Sequence, residues 1–154
     1  MRSVYKVLAA LIAIEVAIQA AVMVYAIAGL GLYIEGGGVL DAAAVESGET
    51  LFPELIGLIL HGLNGMFVIP ALALVLLIVS FFAKVPGGVR MAAVVLGLVV
   101  LQVLLGMFLH GMSWLGLLHG LNALALFGTA VVAARRVPRA DVPVEQRTRQ
   151  SALT

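Results

Sequence analysis

Two histidines in almost identical apolar surroundings are the residues of this chain best suited to chemistry. His61 lies in Leu-His-Gly-Leu-Asn-Gly at 60–65, and His119 lies in Leu-His-Gly-Leu-Asn-Ala at 118–123. A neutral imidazole is a good ligand for haem iron, copper or zinc. Because ionisable side chains inside apolar segments mark functional sites by default, the repeated motif predicts a ligand site made by the pair.

Glycine and asparagine accompany both histidines. Glycine has no side chain, so it would let a flat macrocycle approach the backbone. Each asparagine follows its histidine by one helical turn on the same face, and we expect it to hold an imidazole of the partner helix or to meet a polar edge of the ligand. The third histidine ends another apolar run, where it either joins the site or simply lies in the membrane interface. The candidate cofactor-binding residues are therefore His61, His119, Gly62, Gly65, Gly120, Asn64, Asn122 and His110, with His61 and His119 as metal ligands.

The composition is that of an integral membrane protein. Of the 154 residues, 63% are hydrophobic and 11% charged, and the mean hydropathy is +1.17. Four charge-poor runs reach or approach the roughly 20 residues that cross about 30 Å of hydrocarbon. There is no cysteine, which excludes disulfides and thiolate metal sites. The sequence predicts a four-helix membrane bundle over 1–138 and a flexible cytoplasmic tail over 139–154. A long outer loop is predicted at 34–54. The predicted spans are about 7–33, 55–83, 91–109 and 116–134.

The basic residues predict the orientation of the chain. Arg2 and Lys6 precede the first span, Lys84 and Arg90 lie between the second and third, and five arginines follow the fourth. The 34–54 loop carries five acidic residues and no lysine or arginine. The positive-inside rule therefore places both termini in the cytoplasm, beneath the plasma membrane, and the acidic loop outside. Because this topology accounts for the basic tail, nucleic acid is not an expected partner.

The chain also resembles a repeated helical hairpin. Leu30–Gly36 (LGLYIEG) matches Leu105–Gly111 (LGMFLHG) at the outer ends of the odd spans, while both His-Asn motifs lie near the outer ends of the even spans. The pattern predicts an all-α bundle of two hairpins related as a parallel repeat. Counting about 1.5 Å per residue from the outer ends places His61 and His119 at similar depths, so we expect them to face each other.

Three kinds of function stay open from the residues alone, and with them the question whether the protein is an enzyme. Two imidazoles from alternate helices of a bundle can sandwich a haem, and such a b-type haem would transfer electrons, with quinone or a redox protein as partner, or serve haem handling. A copper or zinc site could instead be formed by His61, His110, His119 and Glu35. In the third alternative the polar residues only lock helices together, in a scaffold or homo-oligomer without cofactor.

Glu15 is the one carboxylate well inside a predicted span, with Gln19 one turn further on. One interpretation is structural, a protonated carboxyl that hydrogen-bonds to a neighbouring helix or a second subunit. The other is a proton relay.

The arrangement resembles one four-helix half of a haem A synthase, a unit that holds haem between its second and fourth helices. Leu101-Gln-Val-Leu-Leu-Gly106 is similar to the Gln-x-x-x-Gly pattern of that family. Those synthases also carry an acidic residue a few positions before the first ligand histidine and an arginine just after it. Here Glu54 lies seven residues before His61 and Gly62 follows it. The resemblance therefore implies haem binding and gives no support for synthase chemistry.

A second resemblance covers most of residues 5–134. The chain is similar to an uncharacterised family of small four-helix membrane proteins of actinobacteria. The motifs that carry this resemblance are Gln19, Ala28-Gly-Leu-Gly-Leu-Tyr33, His61 and His119-Gly-Leu-Asn-Ala-Leu124. Together the two resemblances imply that His61 and His119 are the axial ligands of a haem b.

Overall fold

The computed structural model describes residues 1–108 and 111–137, and every regular element in these ranges is helical. A π-helical turn, Asn64–Val68, joins two of the helices into one span of 29 residues, Leu55–Ala83. The helices are α1 (Arg2–Glu35), α2 (Ala42–Glu46), α3 (Leu55–Leu63), α4 (Ile69–Ala83), α5 (Gly88–Phe108) and α6 (Trp114–Arg135).

Four helices are long and apolar enough to cross a membrane: α1, the joined α3–α4, α5 and α6. This finding confirms the all-helical class and the multi-pass membrane character that the composition predicts. The first helix starts at Arg2, earlier than the predicted span at residue 7, because Arg2 and Lys6 belong to types with good helix propensity and prolong the helix beyond its apolar part. The predicted tail at 139–154 and the candidate His110 lie outside the described residues.

The four spans form a ring in which α1 packs against α3–α4 and α6, and α5 packs against α4 and α6. The second and fourth spans are therefore diagonal. The Tyr5 hydroxyl donates to the carbonyl oxygen of Gly88 at 3.1 Å, while Gly57 of α3 lies against Val22 of α1. These contacts show that α1 runs antiparallel to α3–α4. The bundle end near Tyr5 and Arg135 is called the terminal end below, and the end that carries residues 36–54 is the loop end.

The terminal half of the bundle contains a dry hydrophobic core. Tyr5, Ala9 and Ile12 of α1 are completely buried there, as are Ala73 and Leu76 of α4. The same cluster takes in side chains from the other two spans, among them Ala92, Val95, Val99, Leu126 and Ala130. Apart from Tyr5, the side chains that hydrogen-bond between helices in the described residues lie in the loop half, so the bundle has a mainly apolar layer and a polar layer.

The π-helical turn at Asn64–Val68 has a local cause in Pro70. Proline has no N–H to donate to the carbonyl oxygen of Met66, and its ring collides with that carbonyl in a regular α-helix. The chain accommodates both effects by widening the preceding turn, which is how π-turns arise in α-helices. The sequence predicts a kink at Pro70; the structure has this widened turn directly before it.

The segment between α1 and α3 includes a short helix, α2. Asp41 caps it, with Oδ1 accepting a hydrogen bond from the Ala44 N–H at 2.8 Å. Tyr33 packs on Phe52 with ring centroids 5.5 Å apart, which fastens this segment to the end of α1. The segment is therefore partly structured.

Candidate ligand site

The structure brings His61 and His119 together. Their ring centroids are 6.1 Å apart and their ring planes are inclined by 49°. His61 comes from α3 and His119 from α6, the diagonal partners of the bundle, and both side chains are half-buried. The two rings therefore face each other from opposite helices, the arrangement that the repeated motif predicts.

The His61 ring is fixed by the backbone of α1. Its Nδ1 lies 3.2 Å from the carbonyl oxygen of Gln19. A carbonyl oxygen only accepts, so this contact places the proton on Nδ1 and leaves the lone pair on Nε2. Histidines that bind metals are usually oriented through the second ring nitrogen in this way. His61 thus has the tautomer that a ligand histidine needs.

The His119 ring lies next to a glycine of α5, and its Nδ1 atom has no hydrogen-bond partner in the described part of the chain. A Cβ on Gly106 of α5 would lie 3.3 Å from Cε1 of His119. The Nδ1 atom is buried and makes no hydrogen bond in the described part of the chain. Burying a polar atom without a partner costs free energy. Interhelical hydrogen bonding therefore does not explain the position of this imidazole.

Asn122 links α6 to α5. Its Nδ2 donates to Gln102 Oε1 at 2.6 Å and to the carbonyl oxygen of Leu98 at 2.9 Å. Gln102 in turn donates from Nε2 to the carbonyl oxygen of His119 at 3.1 Å. Asn122 thus makes no bond to an imidazole; it holds the turn that carries His119. Gln102 appears in the sequence only as half of a Gln-x-x-x-Gly pattern, and its position beside His119 could not be derived from that pattern.

We expect Asn122→Leu to lower the free energy of unfolding by about 1–2 kcal/mol, because Gln102 Oε1 loses its donor inside the membrane. Thermal unfolding of the detergent-solubilised protein, followed by circular dichroism, measures the change. Thr129→Val is the matched control on α6, because its hydroxyl bonds only within its own helix, to Ala125. Equal losses in the two variants would contradict the role given to Asn122.

Asn64, like Asn122, makes its side-chain hydrogen bond to a residue other than the expected imidazole. Its Nδ2 donates to Glu15 Oε2 at 2.7 Å. The carboxylate that interrupts the first apolar run therefore meets the polar residue of the π-turn. Of the two interpretations of Glu15, a hydrogen bond to a neighbouring helix is present, and a proton function is compatible with it.

The three glycines of the motifs are not sites of close helix packing. A Cβ on Gly62 or Gly120 would meet no other atom within 4 Å, and one on Gly65 would meet only Gln19 Oε1, at 3.4 Å. Close packing occurs instead at Gly29 and Gly57 of the α1–α3 contact. Gly62 and Gly120 are exposed, so the open space at these glycines lies on the outer surface of the bundle and makes no room between the two histidines.

No third side chain of the usual metal-ligand types joins the histidine pair within residues 1–108 and 111–137. Glu35 is exposed at the end of α1 and is part of no such group. His110, the other residue of the expected copper or zinc set, is outside these ranges. Two imidazoles are thus the donor set that the described part of the chain offers.

Comparison of the chain with protein-family models, with curated proteins and with solved structures gave no match.

Proposed function

We propose that this protein is a membrane haem protein that holds a b-type haem between His61 and His119 and transfers electrons. The observation that carries the proposal is the pair of imidazoles, 6.1 Å apart between diagonal helices. A haem supplies a one-electron couple, and a bundle of four helices is a common way to hold it.

The distance fits two ligands on opposite sides of one metal ion. An imidazole nitrogen lies about 2.0–2.1 Å from a bound metal and about 1.1 Å from its own ring centre, so two opposed rings have centres about 6.3 Å apart. The observed 6.1 Å is close to this value. The 49° inclination does not oppose it, because each ring can turn about its metal–nitrogen bond.

The donor set favours haem over a zinc site. Zinc in proteins usually takes three or four protein ligands, and the described part of the chain offers two. A porphyrin contributes four nitrogens itself and leaves two axial positions, which two histidines complete. The scaffold alternative accounts for Asn122 and Gln102, but it gives no reason for two imidazoles to face each other between diagonal helices.

Two protein ligands also favour electron transfer over reaction at the metal. His61 and His119 would both be used to hold the haem iron, which would leave no position for oxygen or substrate. A quinol dissolved in the bilayer or a redox protein is the expected partner. The proposal agrees with the resemblance of the arrangement to one half of a haem A synthase.

The finer topology belongs to the same proposal. The two hairpins form a parallel repeat, the terminal end faces the cytoplasm and the loop end faces outward across the plasma membrane, as the positive-inside rule indicates. The haem would then lie in the outer half of the bilayer. The loop segment carries only acidic charge, so the propionates would be solvated by water at the membrane surface.

An absorption spectrum of the purified protein tests the proposal. Oxidised and dithionite-reduced samples in detergent should show a Soret band and sharp reduced α and β bands, with one haem per chain. Elemental analysis of the same sample distinguishes iron from copper and zinc. A colourless protein that cannot be reconstituted with hemin would refute the proposal, and copper or zinc in its place would favour the metal-ion alternative.

A further inference from the structure

A second group of polar residues lies between α1 and α3, next to the histidine pair but separate from it. Glu15 and Gln19 are one turn apart on α1, and Asn64 faces them from the π-turn. Asn64 Nδ2 donates to Glu15 Oε2 at 2.7 Å. The backbone carbonyl of Gln19 accepts from His61, so this group is joined to the candidate ligand by one hydrogen bond.

Several atoms of this group are buried without a partner. The Gln19 side chain is 8% exposed, and neither its Nε2 nor its Oε1 makes a hydrogen bond in the described structure. The Oδ1 atom of Asn64 is also buried and makes no hydrogen bond in the described structure. Buried polar atoms are almost always satisfied by protein or by ordered water. A donor and two acceptors aimed at the same interface therefore indicate a small polar occupant, of which water is the simplest.

Gly65 and Pro70 help to make room for this occupant. The π-turn that Pro70 imposes widens the helix at Asn64. Gly65 has no side chain, and a Cβ added there would lie 3.4 Å from Gln19 Oε1. On the terminal side of this group the buried cluster is apolar and includes Ile12 of α1 and Ile69 and Ala73 of α4. The polar residues joined to Glu15 lie towards the loop end, so we expect a proton to arrive from that end.

We infer that Glu15, Gln19 and Asn64 form a proton-binding site, in which water held by the two amides carries a proton to and from the Glu15 carboxylate when the histidine pair gains or loses an electron. The inference rests on the proposed function. An electron that arrives between His61 and His119 adds negative charge to a region of low dielectric, and a proton taken up nearby neutralises it. Each event consumes one electron from the redox partner and one proton from water at the loop end, and it converts the carboxylate into a carboxylic acid.

Few other ionisable groups face Glu15. The groups at this level of the bundle are His61 of α3 and His119 of α6, while α4 has no titratable side chain between Ile69 and Ala83. Lys84 and Arg135 lie at the terminal end, on the far side of the apolar core. With both imidazoles engaged as ligands, Glu15 is the side chain at this level of the bundle that is left to exchange a proton, besides the propionates of the haem itself.

Redox titration of the haem-loaded protein at several pH values tests the inference. One proton per electron means that a tenfold change in proton concentration shifts the potential by about 59 mV. We expect this dependence in the wild type and its loss in Glu15→Gln, which keeps an oxygen to accept from Asn64. Glu15→Asp should keep it, and so should Glu46→Gln, a matched change at an exposed carboxylate of α2.

Infrared difference spectra of the reduced and oxidised protein give a second, independent readout. A carboxyl signal should appear on reduction in the wild type and be absent from Glu15→Gln. A wild-type potential that does not vary with pH, or a slope that Glu15→Gln leaves intact, would overturn the inference while the haem bands still support the proposed function. Absence of the haem bands would instead overturn the proposed function, and the inference with it.

Discussion

Alanine at His61 or at His119 should abolish haem binding. Each variant removes one of the two proposed ligands, and residues 1–108 and 111–137 contain no other histidine to replace it. Loss of a residue that only orients a metal ligand typically lowers metal affinity about 10–100-fold, and loss of the ligand itself should exceed this. We expect the affinity for hemin, measured by titration of the Soret absorbance, to fall by more than about 100-fold in both variants.

The neighbouring leucines provide matched controls for the histidine variants. Leu60 and Leu118 precede the histidines on the same helices and are 48% and 39% exposed on the surface of the bundle. Leu60→Ala and Leu118→Ala should retain full haem content. Added imidazole should partly restore the spectrum of the histidine variants by filling the vacated position. Unchanged haem content in His61→Ala or His119→Ala would exclude bis-histidine ligation.

Gly57→Ala should be among the most destabilising single changes in the chain. A Cβ at this position would overlap the carbonyl oxygen of Val22 and lie 3.2 Å from the Cβ of Ala26. The Val22 carbonyl belongs to the backbone of α1 and cannot change its rotamer as a side chain can, so α3 must move away from α1. Overpacking of this kind costs about 1–3 kcal/mol. Because His61 lies one turn further along α3, we also expect its contact with the Gln19 carbonyl to lengthen.

Gly97→Ala is the control for Gly57→Ala, with an expected effect of opposite sign. Gly97 lies within α5, and a Cβ there would meet no atom within 4 Å. Alanine is favoured over glycine inside a helix by about 0.5–1 kcal/mol, so this variant should be slightly more stable. Thermal unfolding in detergent compares the two, and equal effects would contradict the close approach of α1 and α3.

Much of the fold follows from the sequence alone, because a chain in a bilayer has few alternatives. Backbone groups in hydrocarbon must be satisfied within the segment, so an apolar run of sufficient length becomes a helix. The four spans could therefore be predicted from composition and length. The repetition of the His-Asn motif near corresponding ends of two spans also predicted that His61 and His119 would face each other. Diagonal helices of a four-helix bundle both turn one side towards the interior of the bundle, where equivalent residues can meet.

The partners of the polar residues were decided by the tertiary structure. Helical spacing indicates that Asn64 and Asn122 share faces with the histidines, yet Asn64 bonds to Glu15 and Asn122 to Gln102. Which helix supplies a partner depends on how the helices are rotated about their axes. That rotation is set by close contacts such as Gly57 on Val22, between residues far apart in the chain.

The sequence by itself determined the four helices that are long and apolar enough to cross a membrane and the pairing of His61 with His119 at the candidate site, because both follow from local patterns of apolar and polar residues. Only the tertiary structure decided which atoms surround that site. The carbonyl of Gln19 that orients His61, the glycine beside His119 and the unpartnered amide of Gln19 all come from other helices. Their positions depend on interhelical packing, which no periodicity within a single segment encodes.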